Sequence, residues 1–476
     1  MTTLPQLNTR VSEDLRLLGL DPENWIPDVA HTDHDVLVVG GGQSGVATAF
    51  ALRRAGVRRT SVIEAQPPER TGSWRAKARM VNLRTAKTNL GPDFGIPSLT
   101  FQAWYEAIAG RAAYDELERI PTGAWADYLD WLKTMTRVDV RYRTRLLGIE
   151  HDGQRFRVRL DRDGQHVTET CRKIVFATGI AGCGEPFIPA VLTSLPPHTY
   201  AHTDAQIDFT ALRGKTVAVI GAASAAFDAA GTALEAGAKQ VHLFCRADRL
   251  APSSNMATLN YPGAQENFYY LPDAVRWKLA WHFRERSPGP TPEVVARATR
   301  FDNFHLHLGS TDLKVQWDGN NVGILSHGVL IRADTVIAGT GYKTDLSLRP
   351  ELTAIAPLIA LWRDRYSAPT EEQDRPIALS PYLGPGYQLQ ERVPGTAPWV
   401  RHLYCFNFAA ITSFGRHVGD VGSLREGIPR LVRHIVRDLF LDDIDQHVQR
   451  LTASVNDELS FAAYAHSVVV PASLDA

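Results

Sequence analysis

Between residues 35 and 50 the chain reads DVLVVGGGQSGVATAF, and its spaced glycines Gly40, Gly42 and Gly45 have the pattern of a phosphate-holding turn. Gly40 permits a tight turn after four apolar strand residues. Gly42 carries no Cβ, so backbone can approach a pyrophosphate at the positive end of the following helix, and Gly45 lets helix and strand pack closely. Gln43 and Ser44 complete the turn. The next strand, TSVIEA, carries Glu64 about 20 residues past the glycines, where an acid hydrogen-bonds an adenosine ribose. Strand, glycines, helix, strand and acid in one unit point to a bound dinucleotide.

A weaker copy of the pattern lies at residues 217–231, VAVIGAASAAFDAAG. Gly221 keeps the turn, Ala226 fills the third position, where the fingerprint tolerates alanine, and Ala223 replaces the glycine of closest approach. Ser224 and Ala225 belong to the same turn. One added methyl predicts a pyrophosphate held slightly farther out, tolerable for a cofactor that leaves at each turnover. At the end of the next strand, QVHLFCR, Arg246 stands where Glu64 stands in the first unit. A guanidinium there suits a 2′-phosphate, so NADPH is expected, with a solvated arginine beside Arg249 as the alternative. Two dinucleotides in one chain pair most simply as a resident flavin and a visiting nicotinamide.

A reduced flavin must pass its electrons on, and the cysteines limit where. Cys171, Cys183, Cys245 and Cys405 are widely separated without a CxxC, so the thiol pair of a disulfide reductase is missing. Molecular oxygen is then the expected acceptor. The 16 histidines form no ligand pattern, and no metal is expected.

An α/β fold must position these residues. At 476 residues the chain exceeds one ordinary core, so two domains are expected, with room for a third. A lead-in helix precedes the first strand, residues 124–135 place Trp125, Tyr128, Leu129 and Leu132 on the core face of a helix, and residues 140–177 suggest an antiparallel meander turning at Asp152-Gly153 and Asp163-Gly164. Residues 250–300 are expected as loops around one helix at 273–284, residues 367–398 as a long surface excursion, and residues 423–440 as the closing helix. A net charge of −1, with neither a basic face nor an acidic tail, argues against nucleic-acid binding. No signal peptide and no run of membrane length is present, which predicts a cytoplasmic protein away from membranes.

Taken in order, residues 40–45 with Glu64, TGSW (71–74), FATG (176–179), the second unit with Arg246, and GTGY (339–342) resemble the motif order of the class B flavoprotein monooxygenases. That group includes the flavin-containing, Baeyer–Villiger and N-hydroxylating monooxygenases. The resemblance implies two Rossmann-like domains of the glutathione-reductase-like type, with FAD held by residues 1–212 and 326–476 and an NADPH domain, 213–325, inserted between them. It further implies a C4a-(hydro)peroxyflavin kept from water, formed with molecular oxygen and spent on a small-molecule substrate.

Site residues follow from the same resemblance. Trp74 would cover the flavin ring region or else be a half-buried core residue, while Thr178, Gly179, Thr340 and Gly341 let the chain cross near a cofactor. Setting Lys87 on the lysine of the flavin-containing pattern puts Arg84 where that pattern has an active-site asparagine, with Asn89 in the same NLRTAKTN stretch. Arg84 would bond the peroxyflavin or a substrate carboxylate, or form a structural ion pair. Asp420, ahead of the last helix, is a candidate flavin contact. Around His202 the Baeyer–Villiger signature fails, because Pro196, His198 and Gln206 occupy its Phe, Gly and Trp positions. His202 is therefore a catalytic candidate or a linker residue between domains. N- or S-oxygenation is expected over ketone insertion, with a flavin oxidoreductase or NADPH oxidase lacking oxygen insertion, and a non-catalytic flavin-binding protein, as alternatives.

Overall fold

The computed structural model describes residues 2–89, 91–251, 259, 261–285, 289–415, 418–453 and 459–469. Val36, Leu37 and Val38 are fully buried in strand His34–Val39, which runs parallel to Thr60–Ile63 on one side and to Gln165–Phe176 on the other. An unbroken apolar run suits a parallel strand covered on both faces. Gln165–Phe176 changes partners along its length. Its first half closes the expected meander with Phe156–Arg162 and Thr144–His151, and its second half also pairs with Leu403–Cys405. The meander turns fall at the expected glycines, Gly153 and Gly164, whose φ of +99° and +83° favours that residue.

After Phe176 the chain builds a second, wholly parallel sheet in the order Tyr200–His202, Thr335–Ala338, Thr216–Ile220, Gln240–Phe244, Phe304–His307, then rejoins the first sheet at Leu403–Cys405. Its strands span residues 200–338, on both sides of 213–325. A two-stranded ribbon, Gly184–Pro186 with Tyr342–Thr344, carries the chain out and back. One face of the second sheet packs on helices Ser224–Glu235 and Pro292–Thr299, and Val322, Ile324 and Ala333 of a three-stranded antiparallel layer cover the other.

Helix Leu4–Leu17 leads in, and helix Thr122–Met135 buries Trp125, Tyr128 and Leu132 with Leu129 half-buried, both as expected. Two expectations are corrected. Besides Asp273–Glu285, helices Pro262–Asn267 and Pro292–Thr299 form in the stretch expected as loops. Pro262 and Pro292 each occupy a first helical position, where a missing N–H costs nothing and the fixed φ assists. Residues 367–398 are not a surface excursion, because Leu383, Tyr387, Leu389 and Ala397 join the core of the first unit. Among the described residues no helix is long and apolar enough to cross a membrane.

Candidate dinucleotide and active site

The first turn separates glycines the protein needs from one it does not. A Cβ on Gly40, whose φ is +112°, would lie 2.5 Å from the Ala177 carbonyl oxygen, and one on Gly45 would lie 1.8 Å from that of Gly40. Gly42 has an ordinary φ of −74°, and its Cβ would meet nothing nearer than the Gly72 Cα at 3.6 Å. The open backbone face at Gly42, at the start of helix Gln43–Arg54, is what an approaching pyrophosphate would use. Glu64 is fixed beside it, its carboxylate accepting the N–H groups of Gly41 and Gln66 at 2.8 Å each. An open cleft passes Gly41, Gly42, Gln43, Thr71, Gly72 and Trp74.

Gln43 ties three segments to this turn. Its Oε1 accepts the indole N–H groups of Trp74 at 2.9 Å and Trp125 at 3.2 Å, and its Nε2 donates to the Gly419 carbonyl. Trp74 is half-buried and sits at the glycine turn itself. Ser44 packs against Gly419, where a Cβ would come within 2.8 Å of its Oγ. Asp420 Oδ1 accepts the Ser423 N–H at the start of helix Ser423–Asp442. At the other end of the same chain segment, buried Asn407 donates to Thr178 Oγ1 at 3.1 Å, beside Gly179 with its φ of +64°. The segment thus touches both the end of FATG and the glycine turn.

The second turn repeats the first despite its alanines. Gly221 has a φ of +121°, matching Gly40, and Ala223 has φ −82° and ψ 172°, the extended conformation of Gly42. Ala226 is accommodated by a glycine elsewhere. A Cβ on Gly339 would lie 2.6 Å from the Ala226 Cβ, so the space lost in the helix is recovered from the facing strand end. Ser224 and Ala225 open helix Ser224–Glu235. Arg246 is exposed and makes no ion pair among the described residues. Thr340 and Gly341 instead bind the connecting ribbon, Thr340 Oγ1 donating to the Phe187 carbonyl and Gly341 accepting the Phe187 N–H.

Of the catalytic candidates, Arg84 reaches across to the second unit, whereas Lys87 and Asn89 bond within the first. Arg84 donates to Asp228 of the second nucleotide helix, and Lys87 Nζ donates to the carbonyls of Tyr114 and Asp115 at the end of helix Arg111–Glu116. Asn89 has its N–H on the Ala86 carbonyl. Buried His202 ends strand Tyr200–His202, with Nδ1 accepting the Asp204 N–H and Nε2 unpartnered. Burial lowers the His202 pKa. Burial works to raise the Asp204 pKa but is outweighed by hydrogen bonds from Lys77 and Tyr342, which hold its carboxyl below the usual range.

Residues 34–259 match the family described as pyridine nucleotide-disulphide oxidoreductase. Over 445 residues the chain is 38% identical to FAD-dependent urate hydroxylase of Xanthomonas campestris pv. campestris, covering 93% of this chain and 94% of that protein. The chain belongs to the class B flavoprotein monooxygenases. Its fold is similar to that of ornithine hydroxylase from Pseudomonas aeruginosa, with a TM-score of 0.67 and 17% identity over 85% of this chain and 99% of that one. The ornithine N-hydroxylase of Kutzneria sp. 744, solved with reduced FAD, NADP+ and L-ornithine, gives a TM-score of 0.65 at 15% identity, again covering 85% and 99%. The urate hydroxylase relative is described as FAD-dependent, and the Kutzneria structure holds both reduced FAD and NADP+. Asn407, Gly419 and Asp228 escape the motif reading. Asp228 leaves a trace in the sequence, as the acid inside a helix, Ser224–Glu235, that is otherwise mostly apolar up to its last residue.

Proposed function

We propose that the chain is an NADPH-dependent FAD monooxygenase that adds one oxygen atom of O2 to a small molecule, the other leaving as water with the electron pair from NADPH. The observation that carries this reading is the pair of backbone-matched turns, Gly40–Gly42 and Gly221–Ala223, with Glu64 ending one unit and exposed Arg246 the other. FAD, when bound, supplies the route for electrons from NADPH to oxygen. Gly42 and the first turn of helix Gln43–Arg54 hold its pyrophosphate, and Glu64 accepts a ribose hydroxyl. Gly221 and the first turn of helix Ser224–Glu235 hold NADPH, while Arg246 takes the 2′-phosphate. Asn407, on Thr178, and Gly419, on Gln43, bring their segments against the flavin edge and help keep water out.

Thiol chemistry is a poor fit. All four cysteines are buried and unpaired, and burial pushes the Cys183 thiol up to about 11 and that of Cys405 up to about 12, away from the thiolate. For the substrate, the urate hydroxylase likeness makes an oxopurine the first class to test. N- or S-oxygenation of an amine or sulfur compound is the second reading, favoured by the N-hydroxylating structural neighbours. A panel of oxopurines, diamines, amino acids and thioethers should contain a compound that stimulates NADPH consumption in air and gains one oxygen by mass. Consumption without any oxygenated product across the panel would favour an oxidase.

A further inference from the structure

We propose that Arg84 is a positioning residue for flavin reduction, holding the second nucleotide helix through Asp228 at a fixed place relative to the flavin unit. The inference rests on the reading of the two turns as FAD and NADPH sites. Asp228 stands one helical turn beyond Ser224, the first residue of helix Ser224–Glu235, and its side chain is only 5% exposed. Its two carboxylate oxygens face different units. Arg84, on strand Asn82–Ala86 of the first unit, reaches Oδ2, and Arg297, on helix Pro292–Thr299 of the second, lies 3.4 Å from Oδ1.

Other polar contacts line the same seam. Lys77 meets Asp204 at 2.7 Å, Arg79 donates to the Ala205 carbonyl at 2.8 Å, and Asn82 donates to Glu293 at 3.0 Å. Partly exposed pairs contribute little each. Arg84 and Asp228 differ because the carboxylate is buried, and burial raises its pKa even with both guanidinium groups beside it. Removing Arg84 would leave that charge under-compensated, and the helix would shift to relieve it. A rigid helix carries such a shift to Ser224 and hence to the bound nicotinamide, and small misplacements of reacting groups are costly in rate.

Anaerobic stopped-flow reduction of the FAD-loaded protein across NADPH concentrations tests this. Arg84→Gln and Asp228→Asn should each lower the limiting reduction rate about tenfold while NADPH affinity changes little. Their double variant should be no worse than either alone, because both remove one interaction, and Arg84→Lys should recover most of the rate. FAD content and melting temperature on the same samples separate this from misfolding. Unchanged reduction rates in well-folded variants, additive losses, or a loss confined to NADPH affinity would overturn the proposal. A wild-type flavin that NADPH does not reduce would sink the NADPH reading itself, and this role with it.

Discussion

Gly42 has no steric reason within the protein to be glycine, whereas Gly45 does, and that contrast can be measured. Gly42→Val should fold normally but retain little FAD, because the added side chain enters only the space left for the pyrophosphate. Gly45→Ala should be poorly folded whether or not FAD is supplied, since its Cβ would sit 1.8 Å from the Gly40 oxygen. Flavin absorbance per protein and thermal melting of both variants check this. At the second site Arg246→Ala should weaken NADPH while leaving NADH use nearly unchanged, each lost charge-assisted bond contributing roughly 1.5 to 3 kcal/mol. Equal losses for both cofactors would show Arg246 to be structural.

At the scale of elements, both strand–turn–helix units were legible because their signals are local: an apolar run, glycines at fixed offsets, a charged residue at the next strand end. The meander was legible for the same reason, since Asp152-Gly153 and Asp163-Gly164 mark its turns directly. Pro262 and Pro292 misled because proline both breaks and begins helices, and only the cap geometry tells which. The Leu383–Leu389 segment misled because composition cannot show that a proline-rich stretch folds back into the core. Contacts such as Gln43 to Gly419, 376 residues apart, have no local signal at all. The Ala226 and Gly339 exchange also belongs to this scale. Gly339→Ala should overpack the second unit, lowering stability by about 1 to 3 kcal/mol and weakening NADPH, and adding Ala226→Gly should restore part of both. Absence of any rescue in melting and NADPH titrations would mean that the two positions do not compensate each other.

Across the whole molecule, the chain end is fastened to the sheet below the nucleotide sites by charge. Lys173, fully buried on Gln165–Phe176, lies 2.5 Å from Asp442 and 2.6 Å from His402 Nδ1, and burial brings its pKa down to about 8. An unfolded lysine titrates near ~10.4. The folded state therefore binds fewer protons between about pH 8 and ~10.4, and this group's effect is stability that rises with pH across that window. The unfolding free energy of wild type relative to Lys173→Met, from denaturant titrations, should climb over that range by an amount on the order of 3 kcal/mol. A flat difference would show that the lysine stays charged. If NADPH at one turn and FAD at the other place oxygen into a substrate, turnover under 18O2 will show it. With a compound that stimulates NADPH consumption, the product should carry one 18O atom in proportion to NADPH oxidised; unlabelled product, with the label recovered as hydrogen peroxide, would rule out oxygen insertion.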